Sequence, residues 1–284
     1  AVYEGLNWPK EANLATGYDW TAHFDRLKKW QEAYPESITP RVALANAYIE
    51  YGLDARGTGY ANTVSRENIR LYKERTALAK AELERSEALN KKCPEWYSAK
   101  LSVAHSDGVS FDEYNAIFEE AVAYEPLYFY NYRAKALYLL PQWYGRPGEW
   151  QKFAADASDK IGGREGSAMY YYIAANTMFT TDSYESLRNG SISWEKIEQG
   201  YKDMEAMYGP SEARLNEIAK LGMHASDIPA SCGYMQKIGN NLNESVWKKE
   251  TFEGYRKFCE SVKGGDPRIQ IAKEKMPPQT EQHP

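Results

Sequence analysis

The chain has 284 residues, 43% hydrophobic and 26% charged, with 35 basic against 40 acidic side chains. That mix can bury a core, which excludes wholesale disorder, and the net charge of -5 argues against a dedicated nucleic-acid-binding domain. The longest unbroken apolar run, Ala168–Ala175, is far short of the roughly 18 residues a membrane-spanning helix needs, so no membrane span is expected.

Apolar residues recur at three- and four-residue steps along almost the whole chain, which is the helical period. The chain opens Ala1-Val-Tyr-Glu4, without Met or an apolar signal segment, as a trimmed start or a chain with its signal peptide removed would. Phe24, Leu27 and Trp30 line a first predicted helix, and Leu44, Tyr48 and Tyr51 a second. Ile69, Tyr72, Ala79 and Leu83 mark a long charged third between Thr63 and Asn90. Tyr97, Leu101 and Ala104 make a fourth; Tyr114, Ile117, Phe118 and Ala121 a fifth. Ser110-Phe-Asp-Glu113 opens that fifth helix as a capping box, in which serine and glutamate satisfy each other's free amides. Tyr130, Ala134 and Leu137 lie on a sixth; Trp150, Phe153, Ala154 and Ala157 on a seventh, with Pro147 near its first turn. Met169, Tyr172, Ile173 and Asn176 form an eighth, Trp194, Ile197, Tyr201 and Met204 a ninth, and Leu215, Ile218, Ala219 and Met223 a tenth. Tyr234 and Ile238 suggest an eleventh; Trp247, Phe252, Tyr255 and Phe258 suggest one or two more. No alternating strand stands out.

Punctuation falls between these helices, at Tyr34-Pro35, Cys93-Pro94, Glu125-Pro126, Pro141, Gly162-Gly163 and Gly209-Pro210. Pro94 and Pro126 stand 32 residues apart, close to the tetratricopeptide period of about 34. Phe118, Ala121 and Pro126 match the bulky–small–proline close of that repeat, and Trp194, Ile197 and Tyr201 the steps of its opening helix. No strict period runs throughout. The predicted fold is therefore all-α: an irregular tetratricopeptide-like α-solenoid of about a dozen antiparallel helices, one domain over residues 1–263 with a flexible tail at 264–284.

Three clusters carry a resemblance. They are Phe24-Asp-Arg-Leu-Lys-Lys-Trp30 with Pro35-Glu-Ser, Ala43-Leu-Ala45 and Ala55-Arg-Gly57; Leu139-Leu-Pro-Gln-Trp-Tyr-Gly145 with Pro147-Gly-Glu-Trp150 and Phe153-Ala154; and Asn216-Glu-Ile-Ala219 with Ile238-Gly239 and Val246-Trp247. Together, over roughly residues 20–260, the chain resembles a family of uncharacterised bacterial proteins with degenerate tetratricopeptide-like helices, many of them apparently exported. The resemblance implies fold and raises export, with a cytoplasmic location as the alternative; it transfers no activity.

Three cysteines are too few for a disulfide scaffold, and none has CxxC spacing. Cys232 and Cys259 could pair in an oxidising compartment, leaving Cys93 free; three buried reduced thiols is the favoured expectation. His23, His105 and His224 have acidic neighbours of the kind any charged chain supplies, and no catalytic or metal role is expected of them or of His283. No nucleotide, hydrolase or zinc-protease motif occurs, and no cofactor is expected. Ala55-Arg-Gly-Thr-Gly59 is expected to be a helix C-cap and loop, with Arg56 bridging to a nearby carboxylate.

The aromatic surplus offers candidate binding residues. Trp143, Tyr144 and Arg146 sit in a proline- and glycine-flanked segment that is either a platform for a ligand or a tight helix connection, with Gly145 and Gly148 free to take positive φ. Tyr128, Tyr130 and Tyr132, with Tyr170 and Tyr171, could line a concave surface; since Tyr170–Tyr172 point in three directions, at least one should face a groove or a partner helix, the alternative being that these tyrosines fill inter-helix layers on both sides with their hydroxyls reaching water. The expected function is non-catalytic binding of a protein or peptide partner, as an adaptor, scaffold or effector-neutralising protein of the bacterial envelope. The alternatives are a carbohydrate-active helical enzyme, using carboxylate pairs such as Asp112-Glu113 or Glu119-Glu120, and a glycan-binding module.

Overall fold

A computed structural model describes residues 3–9, 12–13, 17–57, 63–89 and 91–263. Among them are fourteen helices. In chain order these are α1 (Glu4–Asn7), α2 (Trp20–Ala33), α3 (Ile38–Arg56), α4 (Arg66–Ser86), α5 (Pro94–Asp107), α6 (Phe111–Tyr124), α7 (Phe129–Tyr138), α8 (Glu149–Ile161), α9 (Gly163–Thr181), α10 (Glu185–Arg188), α11 (Trp194–Tyr208), α12 (Glu212–His224), α13 (Ile228–Ile238) and α14 (Lys249–Lys263). The regular structure of the described residues is all-helical apart from one pairing the sequence did not signal, a two-residue antiparallel ladder of β1 (Ala12–Asn13) with β2 (Gly17–Tyr18). Two residues per strand are too few for alternation to register. The tail expected at 264–284 lies outside the described residues.

Helix starts follow from local chemistry. Ser65, Ser193 and Ser211 each accept a backbone N–H three residues on, satisfying a donor that no earlier turn can reach. The predicted capping box is present: the Ser110 hydroxyl accepts from Glu113 N, and the Glu113 carboxylate accepts from Ser110 N at 3.0 Å. Pro94 occupies the first turn of α5, where its missing N–H costs nothing.

The chain divides into two compact units, residues 1–150 and 151–284. In the first, α3 is buried on most of its circumference through Val42, Ala43, Leu44, Ala45 and Ala47, with Ala79 and Leu83 of α4 and Trp96 and Ala99 of α5 in the same core. Several side-chain pairs fix the packing. Arg41 of α3 meets the buried Glu82 of α4, and at the other end of the pair Arg75 donates to the Tyr51 carbonyl at 2.7 Å. Thr76 of α4 meets Ser106 of α5, while Trp96 donates to Ser86. On α6 and α7, Tyr114 stacks on Tyr138 and Phe118 meets Tyr132 edge-on.

In the second unit, α9 and α11 pack through Gly200 against Ser167 and Tyr171. Ser231 of α13 donates to the Ala219 carbonyl of α12 at 2.6 Å, and Trp194 of α11 donates to Asp227, the residue preceding α13, at 2.9 Å. Cys232 of α13 and Cys259 of α14 form a disulfide with Cα atoms 5.2 Å apart, and Cys93 is free. The expectation of three reduced thiols is thus corrected: the folded helices bring two cysteines 27 positions apart within bonding distance, which spacing alone does not reveal.

Candidate functional site

Three of the predicted site residues lie in the interior. Tyr132 is buried, edge-on to Phe118, and donates its hydroxyl to the Pro126 carbonyl at 2.8 Å. Tyr170 and Tyr171 are both buried, the first accepting from Ser193 N at 3.0 Å and the second donating to Glu217 at 2.9 Å. Tyr132 and Tyr171 therefore line no open surface, which corrects the expectation for them, while Tyr170, though buried, forms part of the wall of a cleft in the second unit. Helix α9 is packed around most of its circumference, so adjacent residues pointing in different directions both meet neighbouring helices; Tyr172 is only half-buried.

The remaining candidates belong to the first unit, beside α3, α5 and α7. At one end stands Glu95, in the first turn of α5. Its carboxylate accepts from Asn46 Nδ2 of α3 at 2.7 Å and from the Tyr128 hydroxyl at the start of α7. Burial, then the bond to Glu95, pushes the Tyr128 phenol far above its ordinary range, so it remains a donor. Tyr130 packs on Tyr128 with centroids 5.4 Å apart, and both are half-buried. One turn on from Asn46, burial raises the Glu50 carboxyl, opposed by the charge of Arg133 on α7 and a hydrogen bond from the Trp8 indole.

At the other end, residues 139–148 make a tight turn. Trp143 N donates to the Leu140 carbonyl at 2.9 Å, and Tyr144 N to the Tyr138 carbonyl at 3.2 Å. A Cβ on Gly145 would lie 2.0 Å from the Leu139 carbonyl oxygen, so only glycine fits. Gly148 takes φ 87°, but Gly145 does not take positive φ; what it needs is the missing side chain rather than the left-handed backbone. Trp143 and Tyr144 stay 39% and 43% exposed, and Arg146 is exposed beside them in sequence. The Arg56 guanidinium lies 5.3 Å from the Trp143 ring in a cation–π contact, and Arg56 also donates to the Gly57 carbonyl; among the described residues it makes no carboxylate bridge. Tyr144 extends the stack of Tyr114 and Tyr138, its ring 4.7 Å from Tyr138, and donates to the His105 carbonyl.

His105 is the hub of this end, its ring edge-on to Trp143 at 4.7 Å and near Tyr138 and Tyr144. Burial first, and the Arg56 charge second, drive its pKa down to about 4. The ring is therefore neutral in the folded state, whereas an unfolded imidazole protonates near pH ~6.5. The stabilising difference is complete above that value and is lost as pH falls toward 4. The thermal midpoint of the first unit is expected to drop across this window. His105→Phe, which keeps the ring contacts, should flatten the drop; identical slopes in differential scanning calorimetry would contradict the assignment.

Sequence reasoning did not single out Asn46, Glu50, Glu95 or Arg133 for the site. A signal was available: Glu95 with Tyr128 and His105 with Tyr138 share one spacing of 33 residues. In the second unit, a cleft of about 360 Å³ at the α8–α9 junction is lined by Ser158, Asp159, Ser167, Tyr170, Lys196 and Gln199, with the Lys196 ammonium 5.6 Å from the Tyr170 ring. No family model, curated protein or solved structure matches the chain.

Proposed function

We propose that the chain is a non-catalytic protein-binding protein of the bacterial envelope, built of irregular tetratricopeptide-like stacks of antiparallel helices, with the α3–α5–α7 layer of the first unit as its recognition face. The observation that carries the reading is register. Glu95–Tyr128 and His105–Tyr138 are both 33 residues apart, which supports α5 and α7 running in the same direction one repeat apart. The same spacing recurs in the second unit at Trp194–Asp227 and Tyr201–Tyr234. Between these helices the pairing is reversed: Tyr114 and Phe118 of α6 meet Tyr138 and Tyr132 of α7, rising numbers against falling ones, as opposed helices require. Such stacks put alternate helices on one face, and this face carries half-buried Tyr128 and Tyr130 at one end and exposed Trp143, Tyr144 and Arg146 near the other. Aromatic rings and a guanidinium at the edge of a rigid layer suit capture of a protein segment. The Cys232–Cys259 bond supports an oxidising compartment and hence export.

The test is co-purification of the partner by chains carrying Tyr130→Ala and Trp143→Ala. Partner recovery is expected to fall at least about tenfold, as for loss of aromatic anchors, while circular dichroism is unchanged. Unchanged recovery, or a hydrolytic activity abolished by Glu50→Gln, would contradict the reading.

A further inference from the structure

The α3–α5–α7 face already carries a short segment of the chain itself. Residues Tyr3–Pro9, including the four-residue helix α1, pack along α3. At one end, the Tyr3 hydroxyl lies 3.4 Å from Cys93 Sγ, just before α5, and bonds to the Thr39 side chain near the start of α3. In the middle, Leu6 packs on the core of the first unit, and its carbonyl accepts from His23 Nε2 at 2.8 Å. At the far end, the Trp8 indole donates to Glu50, the carboxyl that also feels Arg133 of α7, and the ring lies 5.2 Å from Trp20. The segment thus runs from the Glu95 end of the layer, over Leu6, to Glu50.

A four-residue helix has no stability of its own in water, because nucleation costs more than one turn returns. Its shape is therefore imposed by α3 together with His23 and Trp20 of α2, much as a bound peptide's would be. Among the residues of the segment whose burial is described only Pro9 is buried; Tyr3, Leu6, Asn7 and Trp8 are half-buried and Gly5 is exposed. An element attached this lightly can open without unfolding the helices beneath it.

We propose that Tyr3–Pro9 is a displaceable internal ligand of the face, and that the partner presents the same chemistry: a short segment with a tyrosine, a leucine three residues on and a tryptophan two beyond that. Tyrosine would take the pocket between Thr39 and Cys93, leucine the apolar floor of α3, and tryptophan the Glu50 carboxyl. Occupancy by the internal segment lowers apparent affinity for any partner by the fraction of time the face is covered. This rests on the reading of the α3–α5–α7 layer as a recognition face.

The experiment uses the full chain with Leu6→Asp and Trp8→Ala, which release the segment, and a fluorescent synthetic peptide of residues 1–10 followed by anisotropy. The peptide is expected to bind this variant saturably and about tenfold or more tighter than it binds the unaltered chain, and a peptide carrying the same two substitutions should not bind. A folded variant that ignores the peptide overturns the inference. If the variant loses its helical circular dichroism, hydrogen–deuterium exchange on the unaltered chain decides. Amides of residues 3–8 exchanging about 100-fold faster than those of α3 support a displaceable segment, and exchange in step with α3 overturns it. The two readings fail separately. Peptide binding in trans with undiminished partner recovery by the Tyr130 and Trp143 variants supports the internal ligand and sinks the wider reading, and the opposite pair of results does the reverse.

Discussion

Gly200→Ala is expected to destabilise the second unit by about 3 kcal/mol, the upper end of what overpacking a rigid site costs. In an exposed helix the same change stabilises by about 1 kcal/mol, since alanine restricts the unfolded chain and glycine does not. At Gly200 the sign reverses because α9 and α11 touch backbone to backbone. An added Cβ would fall 2.1 Å from the Ser167 carbonyl oxygen and 2.7 Å from Tyr171 Cβ. A carbonyl in the body of a helix cannot swing aside, so α9 and α11 must separate and uncover Tyr171 and Tyr201, whose rings meet 5.9 Å apart between them. Gly254 is the internal control: it also lies within a helix, α14, and a Cβ there meets nothing within 4 Å. Urea titration should show a fall in midpoint for Gly200→Ala and a small rise for Gly254→Ala. Equal effects at the two sites would contradict the packing.

Removing the disulfide is expected to cost a comparable amount. Closing a loop across 27 positions stabilises by about 3.5 kcal/mol in the chain-entropy account, chiefly by restricting the unfolded state. Around the bond, α14 is also held by Phe252 and Cys259 in the core and by the Tyr255 hydroxyl, 2.9 Å from Ser231 Oγ. Those contacts should keep α14 docked but easily opened in a Cys232→Ala, Cys259→Ala chain. The expected result is a lower urea midpoint for the second unit, with α14 amides exchanging faster than those of α12. A midpoint unchanged by both the substitutions and a reductant would contradict the pairing.

Much of the helical plan is legible in single residues. Ser110 and Glu113 announce the start of α6, and Pro94 that of α5, because capping is local chemistry written within one turn. Phe118, Ala121, Ile197 and Tyr201 are buried as their spacing predicts. The long charged helix is found at Arg66–Ser86, inside the limits Thr63 and Asn90. What failed depends on contacts distant in sequence. Three successive tyrosines at 170–172 leave open whether they line a groove or fill inter-helix layers, and only the covering of α9 on several sides decides for burial of Tyr170 and Tyr171. The Cys232–Cys259 bond depends on how α13 and α14 meet. Glu95, Asn46 and Tyr128 are 49 and 33 residues apart, so each is an ordinary polar residue until the helices are stacked. The Trp143–Tyr144 turn was legible because proline and glycine restrict the backbone locally; that His105 and Arg56 support it was not.

The central claim is that the face beside α3, α5 and α7 takes a protein segment. A photo-crosslinking amino acid placed singly at Tyr130, Trp143 and Tyr144, in cells that make the partner, tests it most directly. Leu78 on α4 and Tyr208 at the end of α11, 45% and 55% exposed, serve as comparison positions on helices that are not part of that layer. The account predicts a discrete adduct of one mass from the first three positions and none from Leu78 or Tyr208. Adducts from Leu78 or Tyr208 alone, or in equal yield from all five, would contradict it.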